Sequence, residues 1–267
     1  MSTQPAARPE APVLLREDRE GVATLWLNRP TRQNALDEEL IAELQRACDE
    51  LASDASVRVV VLGGSGPAFC AGHDLREMRA HPDPDYYRAL LARCTRMMLS
   101  LAELPQPVIA RVHGVATAAG CQLVATCDLA VASEAARFAT SGIDVGLFCA
   151  TPAVPLSRNV PRKRAFEMLA TGEFIDAATA SEWGLVNRVV PAGELDAAVL
   201  ELARALAAKS PVAIRAGKRL FARQLAAGLE EAYALACETM ASNLLAEDAG
   251  EGIDAFLAKR KPVWRGR

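Results

Sequence analysis

The sequence predicts an α/β fold whose mainly parallel sheet is followed by a helical C-terminal part. Short runs of branched apolar residues alternate with amphipathic segments over the first 190 residues or so, as in α/β proteins. Val57–Leu62 is a nearly continuous β-branched run, which is typical of a strand buried on both faces. After Arg162 such runs become rare. The 267 residues, 51% of them hydrophobic, suffice for one large core or two small ones.

The first elements form a predicted β-hairpin and a βαβ unit. Val13–Leu15 and Val22–Leu27 flank a charged turn that ends in Gly21, which indicates the hairpin. Leu36–Leu51 carries apolar residues at helical spacing, so an amphipathic helix follows. Because the next strand is the buried run that begins at Val57, the sheet is expected to be parallel from here on.

The same alternation continues along the chain. In order, the sequence predicts a helix over Tyr86–Leu104, strand Val108–Val112, a small-residue helix over 118–125, strands Leu129–Ala132 and Val186–Val190, and helices over 195–208, 212–227 and 229–245. We therefore divide the chain into a disordered tail (1–11), an α/β core (12–190) and a helical region (191–267). The basic segment 259–267 is expected to be a solvated tail.

Composition excludes several classes of function. The 30 Lys and Arg against 33 Asp and Glu give a net charge of -3, so no positive field would hold nucleic acid. The seven cysteines form no C-x-x-C pair and only three histidines accompany them, which predicts reduced thiols and no metal site. The sequence contains no uninterrupted run of about 18 apolar residues, so no membrane-spanning helix is predicted. The N-terminus resembles no signal or transit peptide, and the expected location is the cytoplasm.

Two small-residue segments are the main candidates for chemistry. AFCAGHDLREM (68–78) and GVATAAGCQL (114–123) each follow a predicted strand and lead into a helix. Helix starts leave backbone N–H groups unpaired, and small side chains let an oxygen approach them. Two such donors at one point would form an oxyanion hole. The alternative is tight packing of helix on sheet, which also needs Gly and Ala. GGSG (63–66) is interpreted as a turn after a strand, since it lacks the rest of a phosphate loop.

These segments belong to a set of motifs that resembles the crotonase, or enoyl-CoA hydratase/isomerase, superfamily. The set, in family order, is LNRPTRQNAL (27–36), AFCAGHDLREM, HGVATAAGCQLVATCDLAVAS (113–133), TGEFIDAATASEWGLVNRVV (171–190) and FLAKRKPVW (256–264). The resemblance implies a spiral of ββα units with a C-terminal helical trimerisation region, assembled as a homotrimer or a dimer of trimers. It also implies an acyl-CoA thioester as substrate and no separate cofactor, because CoA enters as part of the substrate.

The resemblance assigns roles by motif position. The N–H groups of His73 and Ala119 would bind the thioester oxygen. The imidazole of His73 either turns outward as a structural group, which we favour, or enters the cleft as an acid or base. Positions that match the CoA-binding surface are Thr31, Arg32, Gln33, Ala71, Asp74 and Leu75. Phe256 and Lys259 match the helix that reaches the CoA of an adjacent subunit.

Two departures from the family pattern concern catalysis. Hydratases of the family carry two Glu where this chain has Gln122 and Gly142, and neither residue exchanges a proton near neutral pH. Efficient hydration is therefore not expected. Asp144 and Cys149 are candidate replacements, although a structural role is the more common one for each.

Other polar groups near the motifs have structural interpretations. Cys121 is expected to pack, Asp128 to support a strand entry, and His113 to be a satisfied turn histidine. The leading hypothesis is an acyl-CoA-binding protein that stabilises a thioester enolate. The alternatives are a non-catalytic acyl-CoA-binding protein, a CoA-thioester decarboxylase, or a thioesterase that uses Cys149.

Overall fold

A computed structural model describes residues 11–267. In chain order the strands are β1 (Leu14–Arg19), β2 (Val22–Leu27), β3 (Val59–Gly64), β4 (Ala68–Cys70), β5 (Val108–Val112), β6 (Val115–Thr117), β7 (Leu129–Ser133), β8 (Arg137–Ala139), β9 (Ile175–Asp176) and β10 (Arg188–Val190). The predicted disordered tail, residues 1–11, lies outside the described residues except for Ala11.

The helices follow the same order. They are α1 (Glu38–Ser53), α2 (Leu75–Ala80), α3 (Pro84–Glu103), α4 (Ala119–Thr126), α5 (Ala150–Asn159), α6 (Arg162–Thr171), α7 (Ala177–Glu182), α8 (Leu195–Ala207), α9 (Pro211–Gln224), α10 (Leu229–Leu244) and α11 (Glu247–Leu257). Short 3-10 helices cover Pro30–Arg32, Ser141–Val145 and Ala192–Glu194.

Two sheets share the strands in an alternating manner. The first has the order β1-β2-β3-β5-β7-β10 and the second the order β4-β6-β8-β9. Successive units place one strand in the first sheet, the next strand in the second sheet, and then one or two helices: β3-β4-α2-α3, then β5-β6-α4, then β7-β8-α5-α6. This is the spiral of ββα units that the resemblance implies, and the α/β prediction is confirmed.

The first sheet explains the apolar runs of the sequence. β1 and β2 pair antiparallel, and β2, β3, β5, β7 and β10 pair parallel. One face packs on the main core, which includes α1, α3 and α4, and the other face packs on α8 through Val59, Val61 and Val199. All six residues of β3 are buried, because helices cover the sheet on both sides.

The apolar pattern of the sequence does not predict the strands of the second sheet. β4, β6 and β8 have three residues each, which is too short for a strand pattern to be recognised. The same pattern does not predict α5, α6 or α11. It predicts that α9 extends to residue 227, whereas the helix ends at Gln224. The short strands matter because β4 and β6 lead directly into the candidate site.

The C-terminal helices are less buried than the spiral. Neither α9 nor α10 contains a buried residue. Large apolar side chains remain exposed on the three last helices and beyond them: Phe221, Leu225, Leu229, Tyr233, Met240, Leu244, Leu245, Ile253, Phe256, Leu257 and Val263. Such a surface is typical of proteins that associate.

The basic end of the chain is exposed to solvent, as the sequence predicts, but specific contacts also hold it on the fold. The side chain of Arg260 pairs with Glu251, and the indole N–H of Trp264 donates to the carbonyl of Ala208. The buried carboxylate of Asp248 accepts the N–H groups of residues 265 and 266. The segment therefore folds back on α11 and on the connection between α8 and α9.

Two further expectations concern the described residues. No helix between residues 11 and 267 is long and apolar enough to cross a membrane. All seven cysteines are free thiols, six of them buried and Cys237 exposed.

Candidate active site

The backbone N–H of His73 lies just after β4 and has no acceptor among residues 11–267. The N–H of Leu36 donates to the carbonyl of Gly72 over 2.7 Å, and the N–H of Asp74 donates to the carbonyl of Leu36 over 3.0 Å. Leu36 and His73 thus form a parallel bridge, in which the N–H of His73 points away from Leu36. No carbonyl oxygen in the described part of the chain accepts a hydrogen bond from this N–H.

The backbone N–H of Ala119 begins α4 and is also unpaired. Ala118, the residue before the helix, has a φ of +49°, which a residue with a Cβ rarely adopts. Its N–H donates to the carbonyl of Ala139 and its carbonyl accepts the N–H of Gln122, both over 3.0 Å. The surrounding structure thus holds Ala118 in a strained conformation that aims the next N–H out of the helix end. For residues 11–267, no acceptor is found for this N–H.

Glycines bring these two peptides against each other. A Cβ at Gly72, which has a φ of +92°, would lie 2.8 Å from the Cβ of Ala118 and 3.2 Å from the nitrogen of Ala119. A Cβ at Gly120 would lie 2.7 Å from the carbonyl carbon of Cys70 and would overlap its oxygen. The peptides that carry the two free N–H groups therefore abut.

The imidazole of His73 does not turn outward, which is the orientation that the sequence analysis favours. Both ring nitrogens are shielded from solvent, and neither has a hydrogen-bond partner among residues 11–267. Burial lowers the pKa of this histidine. The imidazole is therefore neutral near pH 7, and it lies beside the backbone of Leu36, whose contact partly offsets the effect of burial on the pKa.

Gln122 occupies the first of the two positions where hydratases carry Glu. It follows Ala119 by three residues on α4, so the two lie on one face of the helix. Its side chain is buried, with 5% of the residue exposed. Its amide oxygen is shielded from solvent and receives no hydrogen bond from the described part of the chain.

Gly142, the second such position, lies in the 3-10 helix Ser141–Val145, and the space beside it is filled. A Cβ there would lie 2.8 Å from the Sγ of Cys149 and 2.5 Å from the carbonyl oxygen of Leu147. No side chain fits at this position unless the 147–149 segment moves. The position is therefore closed as well as empty of a carboxylate.

Neither candidate replacement group is arranged as an acid or base. Cys149 is 6% exposed, and burial raises the pKa of its thiol, so the thiolate is disfavoured. Asp144 is exposed, and its carboxylate faces Gly172, where a Cβ would lie 3.0 Å from both oxygens. Cys121 is buried as expected, and burial raises its pKa to about 12.

The positions that resemble a CoA-binding surface lie together beside β4. Thr31, Arg32 and Gln33 are exposed in and after a 3-10 turn, and the N–H of Ala71 donates to the carbonyl of Gln33 over 3.0 Å. This hydrogen bond ties the turn to the residues that precede His73. Leu75, at the start of α2, is 52% exposed.

Asp74 supports this surface and is not free to bind a ligand. Its carboxylate is buried and accepts the N–H groups of Arg76 and Glu77, so it caps α2. The guanidinium of Arg32 lies 3.4 Å from the same carboxylate. The resemblance implied a place for Asp74 on the CoA surface. In the structure its carboxylate caps α2 and orients the guanidinium of Arg32.

Phe256 and Lys259 lie elsewhere, at the end of α11. Phe256 is 82% exposed and borders a cavity of about 400 Å³ among the C-terminal helices, with Ile253 and Trp264. Lys259 is exposed and has a φ of +52°. The structure of one chain does not bring either residue to the two amides.

Two polar residues, Asn34 and Asp128, act as structural anchors. The buried Asn34, which the sequence analysis overlooks, has a φ of +55°; its amide donates to the carbonyls of Ser65 and Ala68, and its oxygen accepts the N–H of residue 29. The signal for it was an Asn inside a turn that precedes an apolar helix. Asp128 accepts the N–H of Val108 over 2.7 Å and pairs with Lys218 over 2.6 Å.

His113 lies at a turn as the sequence predicts, but it is not fully satisfied, because its buried Nδ1 has no partner among residues 11–267. Its Nε2 lies 2.8 Å from the carbonyl oxygen of Gly66, so it fixes the turn after β3. Thr117 and Ser141, which the sequence analysis did not select, share a hydrogen bond of 2.7 Å between their hydroxyl groups. This bond joins the end of β6 to the 3-10 helix that contains Gly142.

Comparison with known proteins gives matches over nearly the whole chain. The profile of the enoyl-CoA hydratase/isomerase family matches residues 17–267. Enoyl-CoA hydratase domain-containing protein 3, mitochondrial, from Xenopus laevis is 44% identical over 95% of this chain and 86% of its own length. A crystal structure of an enoyl-CoA hydratase from Mycobacterium smegmatis is 58% identical, with a TM-score of 0.94 over 95% of this chain and 99% of that one. The crystal structure of human enoyl-CoA hydratase domain-containing protein 3 is 43% identical, with a TM-score of 0.92 over 94% and 100%.

These matches confirm one expectation and overturn another. GHDL (72–75), ATAAGCQLVA (116–125) and GLFCATP (146–152) also suggested a likeness to enoyl-CoA hydratase domain-containing protein 3, which the comparisons confirm. The expected cytoplasmic location is contradicted, because the name of the Xenopus laevis relative places that protein in mitochondria. The composition of the N-terminus was an insufficient guide.

Proposed function

The chain belongs to the enoyl-CoA hydratase/isomerase family, and we propose that it binds an acyl-CoA whose thioester oxygen accepts hydrogen bonds from His73 and Ala119. The observation that carries this proposal is the pair of unpaired N–H groups on abutting peptides. When a proton leaves the carbon next to the thioester, or when a carboxylate substituent leaves as CO₂, the electron pair of the broken bond stays on the substrate and negative charge develops on that oxygen. Each donor then contributes about 3 kcal/mol to the stabilisation of the transition state.

Efficient hydration of a double bond is not part of this proposal. Addition of water needs groups that position the water and move its protons, and each such group is worth about 10² to 10⁴ in rate. Gln122 can orient a ligand but cannot exchange a proton near pH 7. At Gly142 the volume of a side chain is taken by Cys149 and Leu147.

The CoA portion is proposed to lie on the surface formed by Thr31, Arg32, Gln33, Ala71 and Leu75. Arg32 supplies a positive charge there, and the capping carboxylate of Asp74 orients it. The N–H of His73 lies between Ala71 and Leu75 in sequence, and the peptide of Ala119 packs against Gly72, so we propose that a thioester reaches both N–H groups from this surface.

An assembly of three chains, or two such trimers, completes the proposed site. The exposed apolar side chains of α9, α10 and α11 need a partner surface. Phe256 and Lys259 lie on this region, and in the assembly they would approach the CoA of a neighbouring chain. One chain alone offers them no ligand.

A non-catalytic acyl-CoA-binding protein is the second candidate. The observation that favours it is the neutral character of the side chains at the hydratase positions, Gln122 and Gly142. A decarboxylase remains compatible with the site, because loss of CO₂ leaves an enolate without a protein base. The raised pKa of Cys149 argues against a thioesterase that uses its thiolate.

A panel of acyl-CoAs tests the proposal. The purified protein is incubated with crotonyl-, malonyl- and 3-hydroxybutyryl-CoA; thermal unfolding reports binding and mass spectrometry reports products. We expect acyl-CoAs to raise Tm, and hydration of crotonyl-CoA to be at least about 10³-fold slower than in a family member with both Glu. Comparable hydration would contradict our interpretation of Gln122 and Gly142. Absence of any binding would contradict the proposal as a whole.

A further inference from the structure

A cavity of about 620 Å³ lies between α9 and the C-terminal ends of α1 and α3. Residues 52–55 at the end of α1 and residues 102–106 at the end of α3 form one side of it, and α9 forms the other. Volumes of this size are typical of sites that bind small molecules. The acyl-CoA proposal makes no use of this cavity.

The cavity is remote from the candidate active site. Ala55 and Gln106 precede β3 and β5, so the cavity lies at the amino ends of these strands. His73 and Ala119 follow β4 and β6, which come after the carboxyl ends of the same strands. The five residues of β5 alone span about 16 Å. A ligand in the cavity would therefore occupy a site separate from that of the acyl-CoA.

Four cations of α9 line the cavity: Arg215, Lys218, Arg219 and Arg223. They follow one another at spacings of three or four residues, so they share one face of the helix. Lys218 is already engaged, because its Nζ lies 2.6 Å from the carboxylate of Asp128 and donates to the carbonyl of Gln106 over 2.9 Å. The three arginines are exposed. Their side chains form no ion pair or hydrogen bond with another residue of 11–267.

The acidic residues of the cavity wall do not neutralise these arginines. Asp54 is paired with the guanidinium of Arg16, over 2.8 Å, which lies outside the wall. Glu103 is the other carboxylate of the wall. Three arginines and one glutamate thus remain, which leaves two positive charges in excess. Because the chain as a whole carries a net charge of -3, this positive potential is local to the cavity.

Capping of the neighbouring helix ends does not explain the arginines. Cations are favourable near the C-terminus of a helix, and α1 and α3 both end at the cavity. The amide Nε2 of Gln106 already donates to the carbonyls of Leu51 and Asp54 at the end of α1, over 2.7 and 3.2 Å. Lys218 supplies the cation next to the end of α3. The three arginines therefore remain available to a ligand.

Gln106 adds an unsatisfied acceptor to the cavity wall. It is buried, with 6% of the residue exposed. Both partners of its Nε2 are carbonyl oxygens, which only accept, so the orientation of the amide is fixed and Oε1 is the remaining atom. Oε1 receives no hydrogen bond from residues 11–267. Buried side-chain oxygens are nearly always paired, and a hydroxyl group of a ligand would supply the donor.

We propose that this cavity binds a small organic phosphate that carries hydroxyl groups, such as a sugar phosphate. The guanidinium groups of Arg215 and Arg219 donate to the phosphoryl oxygens, because their planar forks match the geometry of a phosphate. A hydroxyl group of the same ligand donates to Oε1 of Gln106. The site is independent of the proposed acyl-CoA site, since the two lie at opposite ends of the first sheet.

Two matched phosphates test the inference. Ribose 5-phosphate, which carries hydroxyl groups, and pentyl phosphate, which has the same number of carbon atoms and no hydroxyl group, are titrated into the full-length protein by calorimetry. We expect ribose 5-phosphate to bind at one site per chain and at least about fivefold more tightly than pentyl phosphate, because Oε1 of Gln106 stays unpaired with the latter. In the double variant Arg215→Gln/Arg219→Gln its affinity is expected to fall by at least about tenfold.

The double variant is expected to fold, because both arginines are exposed. An unchanged Tm without ligand checks this. Two single substitutions are the matched controls for the loss of charge. Arg162→Gln removes an exposed arginine at the start of α6, outside the cavity wall, and Arg32→Gln removes the cation of the proposed CoA surface. Each is expected to leave the affinity for ribose 5-phosphate within about twofold of the wild type.

Absence of saturable binding of ribose 5-phosphate overturns the inference, and so does an equal affinity in the wild type and the double variant. A loss in Arg32→Gln as large as that in the double variant would place the phosphate on the CoA surface and would also overturn it. Equal affinities for the two phosphates contradict the role of Gln106. The acyl-CoA proposal is tested separately, by the binding of acyl-CoAs, and stands or falls independently of these results.

Discussion

The two halves of the candidate site differ in how they are built. The main-chain half consists of two N–H groups, held by β4, β6 and the start of α4 and by glycines at 72 and 120 that permit close contact. The side-chain half, where hydratases carry two Glu, has an amide at Gln122 and a closed position at Gly142. The position of a backbone N–H is determined by contacts of many residues, whereas the presence of a carboxylate is determined by the identity of one residue. In the proposed site, the groups that would bind an oxyanion are therefore independent of the groups that would position and deprotonate water.

The largest effect is expected when the main-chain half is disturbed. Gly120→Ala introduces a Cβ that overlaps the carbonyl of Cys70, so β4 and α4 must separate. We expect the free energy of unfolding to fall by about 3 kcal/mol and acyl-CoA affinity to fall by at least about tenfold. Chemical denaturation and calorimetry measure the two quantities.

Gly217→Ala is the matched control for this substitution. Gly217 lies within α9 and has no atom within 4 Å of an added Cβ, so the change should stabilise the protein by about 0.5–1 kcal/mol. Equal effects at positions 120 and 217 would show that the contact between β4 and α4 is unimportant.

The closed position of the side-chain half gives the next prediction. Gly142→Ala should lower the free energy of unfolding by about 1–2 kcal/mol, because the methyl group meets Cys149 and Leu147. Gly193→Ala, where an added Cβ meets no atom within 4 Å, is the comparison for thermal unfolding. If Gly142→Ala proves as harmless as Gly193→Ala, the position is open and a Glu could be accommodated there.

The protonation state of the Cys149 thiol gives a further prediction for the side-chain half. Because burial raises its pKa, its thiolate fraction at neutral pH is below that of an ordinary cysteine. Iodoacetamide should therefore label the exposed Cys237 at least about tenfold faster, as measured by peptide mass spectrometry. Labelling of Cys149 at the rate of Cys237 would revive the thioesterase alternative.

The smallest effect concerns pH and His73. Burial lowers the pKa of folded His73 below its ordinary value of 6.5, so the unfolded chain binds a proton that the folded chain refuses. The stability that the neutral imidazole provides is complete above pH 6.5 and is lost as the pH falls towards the lower folded pKa.

His73→Gln should therefore reduce the loss of unfolding free energy between about pH 7.5 and about pH 5.5, by about 1 kcal/mol or less. His113 has a lowered pKa as well, so part of the wild-type pH dependence should remain. An unchanged pH dependence in the variant would show that His73 is freely protonated.

The sequence predicted the larger elements because their patterns are long. β2, β3 and α3 follow from apolar periodicity, whereas the two amides were assigned to His73 and Ala119 by motif position in the family resemblance. The strained φ of Ala118 and the contact between Gly72 and Ala119 depend on packing between segments more than 40 residues apart, which no local pattern encodes. The sequence did not predict the capping role of Asp74, because an aspartate at this position could either bind a ligand or cap the helix that follows.

Isotope-edited infrared spectroscopy of a bound acyl-CoA, labelled with ¹³C at the thioester carbonyl, tests the central proposal most directly. Two hydrogen bonds from His73 and Ala119 would polarise that carbonyl, and we expect its stretching frequency to fall on binding. Gly120→Ala, measured at saturating ligand, should lose most of this shift. A carbonyl frequency in the bound wild-type complex equal to that of the free ligand in water would contradict the proposal that these two amides hold the thioester oxygen.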